Sequence, residues 1–232
     1  PIYINFETGN GTSRMRIDSN GQVMIGHSSS FAHGDADNLA IGDGSSNSGL
    51  TIYTGADKES SIIFGNNGTN GNIEAGIKYY HESHGTVANR RAMTFATGGS
   101  MQERMRIDSS GNLLVGTTST GAASGGSGTS GININANGGV ELTRSANPVL
   151  FVNRTTSDGD IVQLRRDGTT IGTISVEGTN DIAIRSNAAN HTGLRLGEGY
   201  YIPINKDGGI ADNAVDLGLS SIRYKDIYLS GG

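Results

Sequence analysis

The sequence predicts an all-β protein whose hydrophobic core is completed by further copies of the same chain. Three observations lead there. Glycine supplies 37 of 232 residues and the other apolar residues only 34%, where an ordinary domain has about 7% glycine and roughly 40% other apolar residues. Short runs of apolar residues alternate with polar ones at the two-residue period of strands, separated by turn-forming residues. A thirteen-residue pattern occurs twice, ninety residues apart. With so few large side chains, a lone chain buries too little surface to offset its conformational entropy. Disorder is the rival outcome, but only 17% of residues are charged and three are proline, which is not the composition of a disordered chain.

The repeat is the firmest element. Arg14-Met-Arg-Ile-Asp-Ser-Asn-Gly-Gln-Val-Met-Ile-Gly26 returns as Arg104-Met-Arg-Ile-Asp-Ser-Ser-Gly-Asn-Leu-Leu-Val-Gly116, with eight of thirteen positions identical. Met15 and Ile17 alternate with Arg14, Arg16 and Asp18, as expected of a strand with one buried face. Asp18-Ser-Asn-Gly21 and Asp108-Ser-Ser-Gly111 supply turn chemistry. Val23 and Ile25, or Leu113 and Val115, resume the alternation on a return strand. Ile4-Asn-Phe6 precedes the first copy and Met93-Thr-Phe95 the second. A hairpin of this kind is marginal alone; packed about a threefold axis, its Met and Ile side chains form a narrow apolar core.

Strand-like runs follow at 39–41, 50–53, 61–64, 73–80 and 92–95, and again at 132–134, 140–142, 149–152, 161–164, 171–176 and 182–184. No stretch carries helical periodicity. The expected division is a β shaft repeat (1–30), a β knob (31–100), a second shaft repeat with a Gly/Ser linker (101–130), a second knob (131–205) and a C-terminal shaft segment (206–232). The expected architecture is an elongated, intertwined homotrimer with triple β-helix or β-prism shafts and small β-sandwich-like knobs. Met15, Ile17, Met105, Ile107 and Ile227 are its expected trimer core.

The Arg-Met-Arg-Ile-Asp-Ser-x-Gly pattern resembles segments of tail-fibre and tailspike proteins of tailed bacteriophages. Asp212-Asn-Ala-Val-Asp-Leu-Gly-Leu-Ser-Ser-Ile-Arg-Tyr-Lys-Asp-Ile-Tyr-Leu-Ser-Gly-Gly232 is similar to the stretch that, in many such fibres, precedes an endosialidase-type intramolecular chaperone. The resemblance covers about a fifth of the chain, residues 12–27, 102–117 and 210–230. It implies a virion tail fibre that works with other tail proteins and meets a host surface glycan or outer-membrane protein. It also implies a chaperone beyond Gly232, whose self-cleavage residues have no counterpart here. The start at Pro1 reads as a fragment. Asn38-Leu-Ala-Ile-Gly-Asp-Gly-Ser45 is similar to head repeats of trimeric autotransporter adhesins, so a bacterial surface adhesin stays open as an alternative.

Chemistry-bearing motifs are sparse. Cysteine is absent, which excludes disulfides and thiolate metal sites. A net charge of −5 without a basic cluster argues against nucleic acid, and no apolar run reaches membrane-spanning length. Asp35-Ala-Asp37 opens like an EF-hand loop but has Ala40 and Ser46 where Gly and Glu are required. Gly125-Gly-Ser-Gly-Thr-Ser130 lacks the aspartate of a calcium β-roll. His81-Glu-Ser-His84 misses zinc-protease spacing. No cofactor or metal is expected. Asn67-Gly-Thr69 is a glycosylation sequon without weight in a bacterial host. Asp57, Glu59, Glu74, Glu82, Asp158 and Asp160 are the carboxylates a glycan-degrading tailspike would draw on, but the reading is of a protein without enzymatic activity. Tyr79, Tyr80, His81, Tyr200 and Tyr201 are the aromatic candidates for receptor binding.

Overall fold

A computed structural model describes residues 3–9, 11–26, 38–42, 47–66, 73–121 and 130–228. The calcium-loop look-alike at 35–37, the sequon at 67–69, the glycine run at 125–129 and positions 43–45 of the adhesin-like motif lie outside them. The described chain is all-β: sixteen strands and no α-helix, with a single 3-10 turn at Val87–Asn89. It divides into two compact units, Pro1–Asn147 and Pro148–Gly232.

The first unit holds two sheets. One comprises β1 (Ile4–Thr8), β2 (Thr12–Ile17), β3 (Val23–Ile25) and β4 (Leu39–Ile41), in that order. The first three pair antiparallel and β3 pairs parallel with β4. The other is a seven-stranded antiparallel meander of β5 (Glu59–Gly65), β6 (Ile73–Tyr80), β7 (Met93–Thr97), β8 (Gln102–Ile107), β9 (Leu113–Val115), β10 (Gly131–Ile134) and β11 (Val140–Thr143). It draws on three of the segments expected from sequence. The second unit is a five-stranded antiparallel meander of β12 (Gly159–Arg166), β13 (Thr169–Glu177), β14 (Asp181–Ser186), β15 (Thr192–Gly197) and β16 (Tyr200–Asn205).

The sequence repeat is a structural repeat. Met15 pairs with Ile25 and Ile17 with Val23, as Met105 pairs with Val115 and Ile107 with Leu113. Phe6 pairs with Met15 and Phe95 with Met105, and each preceding strand carries a bulge directly after that phenylalanine. The turns match bond for bond. Asp18 Oδ1 accepts the N–H groups of Asn20 and Gln22 at 2.8 and 3.0 Å; Asp108 Oδ1 accepts those of Ser110 and Asn112 at 2.9 Å each. The fourth turn residue has positive φ in both, 82° at Gly21 and 84° at Gly111, which only glycine adopts freely.

The same turn recurs twice more, beyond the two copies read from sequence. Asn135 and Asn205 each close a loop onto the carbonyl four residues on (Gly139 at 2.7 Å, Gly209 at 2.8 Å). Gly138 and Gly208 hold φ of 89° and 87°. The shared signal is Asp or Asn followed three residues later by Gly; without the flanking Arg-Met-Arg-Ile it escapes a search for identity.

Three other differences from the sequence reading stand out. Residues 50–53 and 149–152, read as strands, lie outside every strand, while β15 and β16 were not singled out. The arginines are the third difference: alternation leaves them on the face away from the apolar side chains with nothing to cover it, yet Arg106 is buried within this chain. Within this chain the covered face is the one bearing Arg106, and the apolar face is open.

Candidate functional site: the open apolar faces

Cross-strand partners share a face, as do residues two apart along a strand. In the seven-stranded sheet, pairing therefore puts Tyr79, Met93, Ile107, Leu113, Ile134 and Val140 in one row. Ile62, Ile77, Phe95, Met105, Val115, Ile132 and Leu142 form the next. Of these, Tyr79, Met93, Ile107, Ile134, Val140, Ile62, Val115 and Ile132 are exposed. At about 4.8 Å between strands and 7 Å between rows, the two rows cover roughly 400 Å² in projection. That lies in the range, about 300–600 Å², at which a protein's largest apolar patch is often an interaction site.

The other two sheets repeat the arrangement. Ile4, Ile17, Val23 and Leu39 form one row of the first sheet, and Phe6, Met15, Ile25 and Ile41 the next. In the second unit, Val162, Ile174, Ile184, Leu194 and Pro203 make one row. Val176, Ile182, Leu196 and Tyr201 make the other. Among the described residues, only Met24, Leu114 and Ile204 are large apolar side chains fully buried.

The covered faces are polar and interlocked. Arg106 is 6% exposed. Its Nε and Nη2 donate to both oxygens of Glu103 at 2.6 and 2.7 Å, Nη2 also to Asn89 Oδ1 at 3.0 Å, and Nη1 to the Ala88 carbonyl at 3.3 Å. The 3-10 turn thus closes over this face, and the Glu103 hydrogen bonds hold the guanidinium further into its charged range. Beside it, Asn133 Nδ2 donates to the Thr120 carbonyl at 2.8 Å and to Asn135 Oδ1 at 2.9 Å. In the first repeat Ser13 stands where Glu103 does, and Arg16 instead lies 4.0 Å from the Tyr3 ring centre.

In the second unit Arg185 is the hub, bonded to Asp160 at 3.2 Å, to Ser175 Oγ at 2.9 Å and to Glu177. Arg195 bonds Asp181 at 2.7 Å. A guanidinium bridging Asp160 and Glu177 satisfies both carboxylates.

The aromatic candidates divide between faces. Tyr79 lies on the open face and Tyr80 on the opposite one, because neighbours on a strand point apart. His81 stands edge-on to Tyr79 at 5.1 Å and within 3.0 Å of Ser60 Oγ; His84 stands edge-on to Tyr80 at 4.8 Å. The two imidazoles are thus each engaged with a different tyrosine. Tyr200 donates its hydroxyl to Asp181 at 3.2 Å, whereas Tyr201, 74% exposed, continues the open row of the second unit. Met15, Ile17, Met105 and Ile107 all lie on open apolar rows. Ile227 is 58% exposed, in a C-terminal stretch outside the named strands in which Leu219 and Ile222 pair through bonds of 2.7 and 3.1 Å. Comparison with protein-family models, with curated proteins and with solved structures finds no match.

Proposed function

We propose that this chain is a structural, non-enzymatic part of a bacteriophage tail fibre, acting as a homotrimer that carries or displays surfaces for host recognition. One observation carries the reading: in all three sheets most of the large apolar side chains stand on the open face, while the covered face, among the described residues, mixes polar groups with only Met24, Leu114 and Ile204 as large buried apolar side chains. A sheet built this way lacks half its core until something apolar covers it. Three copies about an axis bring equivalent rows together, which is the arrangement of the shafts and knobs expected from sequence. The resemblance of the repeat and of the C-terminal stretch to tail-fibre segments supplies the biological setting: a virion tail, other tail proteins as neighbours, and a host glycan or outer-membrane protein as the target. The carboxylates of the second unit support a non-catalytic role, since Asp160 and Glu177 are tied to one arginine rather than held free for acid and base work. Tyr80, His81 and Tyr200, off the open rows, are the proposed contacts to a receptor, joined by Tyr79 and Tyr201 where the trimer leaves their rows uncovered.

Sedimentation equilibrium tests the reading. A species of three times 24.0 kDa is expected, and a folded monomer with unchanged secondary structure overturns it. Incubation with host capsule should release no oligosaccharide; release would favour the glycan-degrading tailspike.

A further inference from the structure

Two segments of the chain are apolar, exposed and without a backbone partner. In residues 50–54, Leu50 and Tyr53 are 67% and 93% exposed; in residues 149–153, Leu150 and Phe151 are 61% and 73% exposed. Among the described residues, neither segment makes a backbone–backbone hydrogen bond. The one bond to the first segment's backbone comes from Ser60 Oγ to the Ile52 carbonyl at 3.3 Å. Both have strand-forming side chains and consecutive apolar residues, so either one placed in a sheet would need cover on both faces.

Each segment also runs into an edge strand. Residues 50–54 precede β5, the edge of the seven-stranded sheet, and residues 149–153 precede β12, the edge of the five-stranded one. The first stays near that edge without joining it: Thr54 Oγ1 and Ser60 Oγ are 3.2 Å apart. Leu50 and Ile52 leave a cavity of about 210 Å³ above Ile62, Ile77 and Met93. So each unit presents an unpaired apolar segment beside a sheet edge, β5 in the first and β12 in the second, while β1, β4, β11 and β16 are edges without such a neighbour. A chain carrying both a donor segment and an acceptor edge can pair with its own copies, and such head-to-tail exchange gives a ring where the rotation closes and an open filament where it does not.

We propose that residues 50–54 and 149–153 are donor strands, adding to β5 and to β12 of a neighbouring copy. Backbone bonding along an open edge gives such an addition its affinity, and alternate side chains filling the apolar face give it register. The inference rests on the trimer reading and adds to it which segments cross between chains.

The absence of cysteine makes the test clean. Thr51→Cys with Ser61→Cys, and separately Asn153→Cys with Gln163→Cys, are oxidised mildly and run on a denaturing gel without reductant. Disulfide-linked chains, up to the covalent trimer, are expected. A trimer by sedimentation that yields only intrachain disulfides or none overturns strand donation and leaves the fibre reading standing. A monomer by sedimentation overturns both. Should either double variant fail to fold, amide exchange on the unaltered protein decides. Residues 50–54 and 149–153 are expected to be protected in the trimer and to lose protection on dissociation. Free exchange within an intact trimer overturns the proposal.

Discussion

Arg106 and Ile107 are adjacent in sequence and opposite in environment: the arginine is 6% exposed and the isoleucine 42%. Five donor groups make a guanidinium expensive to bury alone, yet here Glu103, Asn89 and the Ala88 carbonyl satisfy it. Once that face is closed by polar contacts, the pleat forces Ile107 outward into a row with Met93 and Leu113. The open apolar face is thus a consequence of how the polar face is sealed.

Ile107→Asp places a carboxylate in the middle of a six-residue apolar row. If copies meet there, three charges converge in an apolar setting, which costs several kcal/mol per ion. Sedimentation equilibrium should find monomer or aggregate. A variant trimer of unaltered mass and melting temperature would remove Ile107 from the proposed axis.

Glu103→Ala leaves Arg106 buried and without its bidentate partner. Breaking a buried pair of this kind costs about 3–5 kcal/mol, and urea unfolding should report a loss of that order. Replacing Ser13 with alanine, at the equivalent site of the first repeat, is expected to cost far less, because Arg16 there is placed against Tyr3.

The Asp108 carboxyl is partly buried, which acts to raise its pKa, but hydrogen bonds from Asn112 and Ser110 outweigh this and hold it below its ordinary value of 3.8. Because the folded pKa is depressed, its stabilisation is fully present above about pH 5. It is lost as pH falls through the lowered folded value. Asp108→Asn should lower stability at pH 7 and flatten the acid limb of the unfolding curve between about pH 5 and pH 2. An unchanged acid limb would mean other carboxylates govern it.

Gly111→Ala forces an alanine to φ 84° with its Cβ 3.4 Å from that of Ala136. A loss of roughly 1–2 kcal/mol is expected from the left-handed backbone alone. Ser110→Ala, one residue earlier, should lie within about 0.5 kcal/mol of the parent. Equal losses from the two would sink the assignment of the turn's requirement to φ.

Tyr201→Ala and Tyr200→Phe separate display from stability. Tyr200→Phe removes one hydroxyl bond to Asp181 and should cost about 1 kcal/mol in unfolding. Tyr201→Ala, already exposed, should leave the single-chain fold intact and instead weaken trimer formation or host-cell adsorption. The first is read by native mass and the second by cell binding.

Much of the fold was legible in the residues. Period-two alternation located most strands, and the Asp-x-x-Gly turns set the register of both hairpins, because the turn's hydrogen bonds are made by side chains named in the sequence itself. Phe6 and Phe95 were visible as matching flanks of the repeat, and their pairing with Met15 and Met105 came from the structure. Residues 50–53 and 149–152 carry the same apolar signal as true strands; whether such a run pairs depends on an edge being available, which no local pattern encodes.

What the sequence determined by itself was the class and the repeat: alternation and turn chemistry are local, and they make this chain all-β with two copies of one hairpin. Which face each sheet covers was decided only by tertiary structure. The alternation assigned the isoleucines to a face meeting other copies and left the arginines on the opposite face without partners. The single chain closes the other face because Asn89, Asp160 and Glu177, from other elements, together with Glu103 three residues along the same strand, converge on Arg106 and Arg185.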